Sequence, residues 1–188
     1  MTGNKTDRRV RRTKSLLMQG LIQLMETKDV KDISVKELAD LADINRGTFY
    51  LHYSDVYDML SQIEDELFTE FNEIIDRTLT PDSVLSSPRA TLFEVFTFLE
   101  RHRDITQAMA GPHGDLAFVN RMKDLVKEHL DSIWAAGQAS GNNRYAEAFV
   151  VSGCVGVFET WLRDPMPPSP ETMAEICGRL LEKGILPP

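Results

Sequence analysis

The chain has 188 residues, 42% apolar and 27% charged, the balance of one or two globular domains with a sizeable buried core. Its charged start, MTGNKTDRRVRRTK, has no apolar run behind it, and no stretch approaches the roughly 20 apolar residues of a membrane span, so neither a secretory leader nor a membrane anchor is expected. Two cysteines, Cys154 and Cys177, cannot build a disulfide framework and suit a reducing, cytoplasmic setting. The net charge of -8 hides an asymmetry: residues up to Tyr53 carry ten Lys/Arg against seven Asp/Glu, whereas the remainder carries eleven against twenty-two. The basic excess is densest at Lys5, Arg8, Arg9, Arg11, Arg12 and Lys14, which face only Asp7. Such a cluster is an electrostatic footprint for phosphate, although a solvated tail has the same composition.

Nearly every segment reads with helical period, and no strand-like alternation, repeat or low-complexity tract stands out. Leu16, Leu17, Gly20, Leu21, Leu24 and Met25 predict a first helix over about Arg8–Lys28. Ser34, with Glu37 three residues on, predicts a capping box before a short second helix carrying Val35, Leu38, Ala39 and Ala42. Asn45 is placed to cap a third, Arg46–Tyr53. Ser54 or Asp55 caps a long fourth helix with the stripe Val56, Met59, Leu60, Ile63, Leu67, Phe71 and Ile74. Pro88 suits the start of a fifth, and Asp104 the cap of a short sixth that ends before Gly111-Pro112-His113-Gly114. A seventh helix is predicted over about Asp115–Ala139, an eighth over Asn143–Arg163, and a ninth from Ser169-Pro170-Glu171 to Gly184. The fold class is therefore all-α.

The stretch Ser34–Tyr53, SVKELADLADINRGTFYLHY, is the most informative. A helix-turn-helix needs small residues where its two helices cross, and Ala39 and Ala42 supply them. Its turn needs a residue that tolerates the left-handed conformation, the position of Asp43, and Ile44 plugs the gap between the helices. The second helix of such a motif enters the major groove by its N-terminal end. Phe49 and Tyr53 are its core-facing residues, and Arg46, Gly47, Thr48, Tyr50, Leu51 and His52 face outward. Arg46 can pair with guanine, Gly47 lets backbone approach DNA, and Thr48, Tyr50 and His52 can bond phosphate or a base edge. Ser34 with the free amides behind it can grip a phosphate, and Lys36 can reach the same surface.

Leu38-Ala39, Ala42, Ile44, Asn45-Arg46-Gly47-Thr48-Phe49-Tyr50, Tyr53 and Leu60 together resemble the N-terminal domain of the TetR family of bacterial regulators. The resemblance is specific over about Arg11–Leu60, and the nine-helix outline and length also fit. It implies a three-helix DNA-binding domain over residues 1–54 and a helical ligand-binding and dimerisation domain over 55–188. It also implies a homodimer on an inverted-repeat DNA operator, acting as a repressor released by a small-molecule effector, with Ser34, Lys36, Arg46, Gly47, Thr48, Tyr50 and His52 as the DNA-contacting set. Two positions depart from the pattern: Asp43 stands where the turn usually has Gly, and Val56 where a phosphate-binding Lys is usual, beside Asp55 and Asp58.

Phe149, Gly153, Gly156, Phe158, Trp161, Ile176 and Leu180, on the last two helices, are the expected dimer interface, since the resembled family pairs these helices in a four-helix contact. An ordinary intrachain core is the other reading of the same stripe. Phe71, Phe96, Met109, Phe118, Met122 and Trp134 are candidates for an apolar ligand pocket, or for plain core. No phosphate loop, zinc helix motif or nucleophile elbow is present, His102, His113 and His129 are not spaced as metal ligands, and neither catalysis nor a cofactor is expected. The alternative function is a co-regulator or activator of the same fold, controlled by a protein partner.

Overall fold

A computed structural model describes residues 3–81, 83, 87–114, 116–136 and 143–183, with side chains described for these except 3–7, 116, 134, 136 and 143. Nine α-helices lie among the described residues: α1 Gly3–Met25, α2 Val35–Leu41, α3 Arg46–Tyr50, α4 Val56–Thr78, α5 Arg89–Arg101, α6 Arg103–Met109, α7 Leu116–Ala136, α8 Asn143–Arg163 and α9 Pro170–Lys183. A single 3₁₀ turn, Val30–Asp32, precedes α2. The residues form two compact units, 1–65 with 108–115, and 66–107 with 116–188. The ends of the sequence-predicted seventh and ninth helices, 137–139 and Gly184, lie outside the described residues.

In the first unit, Leu17, Leu21 and Met25 recur at four-residue spacing and are buried. Gly20 sits among them because a Cβ there would meet Leu38 Cδ1 at 3.0 Å and Ala42 Cβ at 3.7 Å. That absence of bulk lets α1 approach α2 closely. Helix α1 begins five residues before the expected Arg8. An apolar stripe marks only the face that packs, so a helical turn ahead of it leaves no such mark in the sequence.

Ser34 caps α2 as expected, accepting from the Glu37 amide at 3.1 Å. The reciprocal half of the predicted box is not made: the Glu37 carboxylate pairs with the Lys28 ammonium instead. A charge-assisted contact outcompetes a return bond to one backbone amide. Asp43 adopts φ 52°, the left-handed conformation its position requires, and the next amide, of Ile44, donates to Ala39 O at 2.9 Å. Asn45 then caps α3, accepting from Gly47 N at 2.7 Å. The helix is shorter than expected and closes with a turn in which the amides of His52 and Tyr53 both donate to Phe49 O. Asp55 accepts from the Asp58 amide at 2.8 Å while Asp58 accepts from Ser54 N at 2.7 Å, a reciprocal cap on α4. The Ser54 amide, then Gln62, hold the Asp58 carboxyl below its usual range.

The second unit is built on aromatic contacts. Phe71 packs against Phe98 with centroids 5.8 Å apart, and Phe96 meets Phe158 at 5.0 Å and Trp161 at 5.3 Å, both edge-on. The Trp161 indole donates to Pro168 O at 2.8 Å, so this large side chain is buried with its polar atom satisfied. Arg103 donates to the carbonyls of Trp161, Leu162 and Asp164 at 3.2, 2.9 and 2.8 Å and lies over the Trp161 ring, closing the carboxyl end of α8. Asp104 stands within the first turn of α6, with the Thr106 amide donating to His102 O one residue upstream of the helix. Helix α9 packs along α5, where Arg89 crosses Gly178 and binds Glu182 through two guanidinium nitrogens at 3.3 Å. His129 Nε2 meets Asp76 Oδ1 at 2.6 Å, fastening α7 to α4.

Candidate nucleic-acid interface

The α3 segment divides cleanly between core and surface. Phe49 and Tyr53, four apart, are buried and in ring contact at 5.6 Å. Arg46, Gly47, Tyr50 and Leu51, spaced i, i+1, i+4, i+5, are exposed along one stripe, and Thr48 and His52, both half-buried, flank it. Ser34 and Lys36, at the start of α2, are also exposed. Neither Lys36 nor Arg46 is held in an ion pair among the described residues. The fixed parts lie beneath: the Asn45 cap, the Asp43 turn and the Phe49 anchor. Gly47 has a second reason to be glycine, since a Cβ would stand 3.1 Å from Asn45 Oδ1 and crowd the cap.

Leu51, expected to face outward, is 79% exposed at the end of α3, and Tyr57, which the sequence reading did not single out, is exposed in the first turn of α4. Val56, at the position where a cationic residue is usual, is 3% exposed and belongs to the core. The neighbouring Asp55 and Asp58 cap α4, which accounts for two acids so close to this surface. Arg8, Arg9, Arg11 and Arg12 are exposed and add positive charge along α1. Lys14 Nζ stands 5.6 Å from the Tyr53 ring centroid.

Among the pocket candidates in the second unit, Phe71 and Phe96 are spent on core contacts with Phe98, Phe158 and Trp161. Phe118 is buried, Met122 half-buried, and the side chain of Trp134 lies outside the described residues. Met109 is buried in the first unit. Aromatic and Met side chains at helical spacing satisfy a core first. An open cleft of about 440 Å³ lies elsewhere, lined by Phe68, Ala117, Asn120, Arg121, Asp124, Leu125 and Glu128. The Arg121 guanidinium covers the Phe68 ring there, 3.8 Å from its centroid.

Of the expected interface residues, Phe149 is 71% exposed, and an added Cβ at Gly153 or Gly156 would meet nothing within 4 Å. Tyr145 and Ser152 extend the same open face of α8. Ile176 is half-buried and Leu180 exposed on α9. Trp161 differs: at 2% exposure it is enclosed within its own chain and adds nothing to an outer face. Phe158 leans inward on Phe96 and is half-buried. Burial pushes the thiols of Cys154, beside Cys177, and of Cys177 up to about 11, so both stay protonated at neutral pH.

Residues 86–183 match the TetR family model described as "Transcriptional regulator C-terminal region". The chain belongs to the TetR family of transcriptional regulators. Solved structures of this TetR-family regulator's fold include NalD of Pseudomonas aeruginosa, the secondary repressor of the MexAB-OprM multidrug efflux pump, with TM-score 0.68 and 19% identity over 93% of this chain and 96% of that one. A TetR transcriptional regulator from Streptococcus agalactiae matches at TM-score 0.61 and 17% identity, covering 97% and 100% of the two chains. FadR of Bacillus subtilis, solved with stearoyl-CoA, matches at 0.61 and 15%, covering 92% and 99%. In sequence, the regulator is 25% identical over 93 residues to the uncharacterized HTH-type transcriptional regulator YxbF of Bacillus subtilis, spanning 48% of this chain but only 24% of that protein. No helix among the described residues is long and apolar enough to cross a membrane, and no group of three or more His, Cys, Asp or Glu among them is arranged to hold a metal.

Proposed function

We propose that the protein is a homodimeric, sequence-specific DNA-binding repressor of the cytoplasm, released from its operator by a small molecule bound in the helical body. Residues 1–54 bind DNA, and residues 55–188 pair the chains and receive the effector. Arg46, Gly47, Thr48 and Tyr50 enter the major groove, His52 flanks them, and Ser34 and Lys36 hold phosphate. The observation that carries this reading is the α3 stripe: four exposed residues on a segment whose register is fixed from beneath by Asn45 and the buried Phe49. The open face of α8 around Phe149, Gly153 and Gly156 supports pairing through α8 and α9. The stearoyl-CoA bound by FadR supports a small-molecule effector for a body of this fold.

Selection of bound duplexes from a random pool tests the reading. An inverted repeat is expected, with half-site centres about one helical turn, 34–36 Å, or a multiple of it apart. A pool with no enriched sequence after repeated rounds at low salt removes the proposal.

A further inference from the structure

A loop distant in sequence is fastened to the turn that leads into α2. Residues 108–114 belong to the first unit, where Met109 is buried. The loop reverses through bonds from Gly111 N to Ala108 O at 3.2 Å and from Gly114 N to Gly111 O at 3.1 Å. The reversal requires glycine at 114, since a Cβ would fall 1.8 Å from Met109 O. It carries His113, whose Nδ1 lies 2.7 Å from Asp29 Oδ1. Asp29 is the residue before the Val30–Asp32 turn: its carbonyl accepts from Asp32 N at 2.9 Å, and its other carboxylate oxygen takes Lys31 at 3.1 Å. The hydrogen bond from His113, then that from Lys31, hold the Asp29 carboxyl below its usual range. Asp32 and, from α4, Tyr57 are the other ionisable groups close to Lys31. The turn runs through buried Val30 and Ile33 into Ser34, the cap of α2.

We propose that His113 is a positioning residue for the helix-turn-helix: by holding Asp29 it fixes the Asp29–Ser34 turn, and with it the start of α2. The inference rests on the DNA-binding reading only for its effect on affinity; the restraint of the turn stands apart from it. A half-exposed bond of this kind limits local opening, so its removal loosens the turn without unfolding the domain.

Hydrogen–deuterium exchange on the full chain without DNA tests the restraint, with affinity for the selected duplex measured beside it. His113→Ala is expected to speed amide exchange over 29–34 and 111–114 about two- to fivefold and leave α9 unchanged. His113→Gln, which keeps a neutral donor, should recover part of the protection. Asp29→Ala should reproduce the effect, and the double variant should add nothing to either single one. Affinity should fall severalfold in both single variants. Unchanged exchange over 29–34 in His113→Ala, additive effects in the double variant, or faster exchange with unaltered affinity would each overturn the proposal. A parent protein that prefers no duplex would overturn the DNA-binding reading instead, while the exchange data would still decide whether His113 restrains the turn.

Discussion

Arg46 and Asp43 stand three residues apart and illustrate two demands on one motif. Arg46 is exposed and outside any ion pair among the described residues, so its guanidinium is available for a bidentate contact with guanine, worth about 1–3 kcal/mol of base discrimination. Arg46→Ala should lower affinity for the selected operator by that amount and leave scrambled duplex almost untouched, as read by a binding titration on both; equal losses would remove base readout by this residue. Asp43 bears the conformational demand, with φ 52° in a turn that glycine occupies without steric cost. Asp43→Gly should raise stability by up to about 1 kcal/mol in chemical denaturation, with DNA affinity kept. A loss of stability would mean that the Asp side chain supports the turn beyond its backbone.

At the scale of elements, the nine helices of the described residues are legible from their apolar residues, and several from a recognisable cap, as at Ser34, Asn45 and Asp55. Periodicity reports burial, however, and not which neighbour does the burying. Hence Trp161 and Phe96 are legible as apolar but not as partners of each other, and Phe96, a pocket candidate by its spacing, serves as core. The His113–Asp29 and Arg103–α8 contacts join residues far apart in sequence, so no local spacing announces them. The exposed half of α3, Leu51 included, is readable, since Phe49 and Tyr53 fix its register. Helix α7 offers a test of its own. Burial opposes charging of His129, but the Asp76 carboxylate and the Leu125 carbonyl outweigh it, and the imidazole is raised above its ordinary value of 6.5. A raised histidine stabilises the folded state fully below its unfolded value and loses that contribution as pH climbs through the folded one. The melting temperature should therefore decline from pH 6 to 8, and His129→Gln should flatten the decline; an identical slope in the variant would place its origin elsewhere.

For the whole molecule, the distribution of charge and of open apolar surface matters more than any single contact. The basic excess lies before Ser54 and the acidic excess after it, so attraction for a polyanion is concentrated in the first 53 residues. Deleting residues 1–9 should reduce the slope of log affinity against log salt by roughly 0.9 for each phosphate that the arm neutralises. An unchanged slope would exclude the arm from the DNA-bound surface. The face of α8 around Gly156 is open in the single chain, so Gly156→Leu should leave the fold intact while raising the dimer dissociation constant at least about tenfold by sedimentation. Persisting dimers would move the interface off this face.

The most direct test is the ratio of affinities for the selected inverted repeat and a scrambled duplex of equal length, measured at physiological salt with stoichiometry read in the same titration. A paired set of α3 stripes predicts a preference of at least about a thousandfold with two chains per repeat. Equal affinity for the two duplexes, or one chain bound per repeat at saturation, would contradict it.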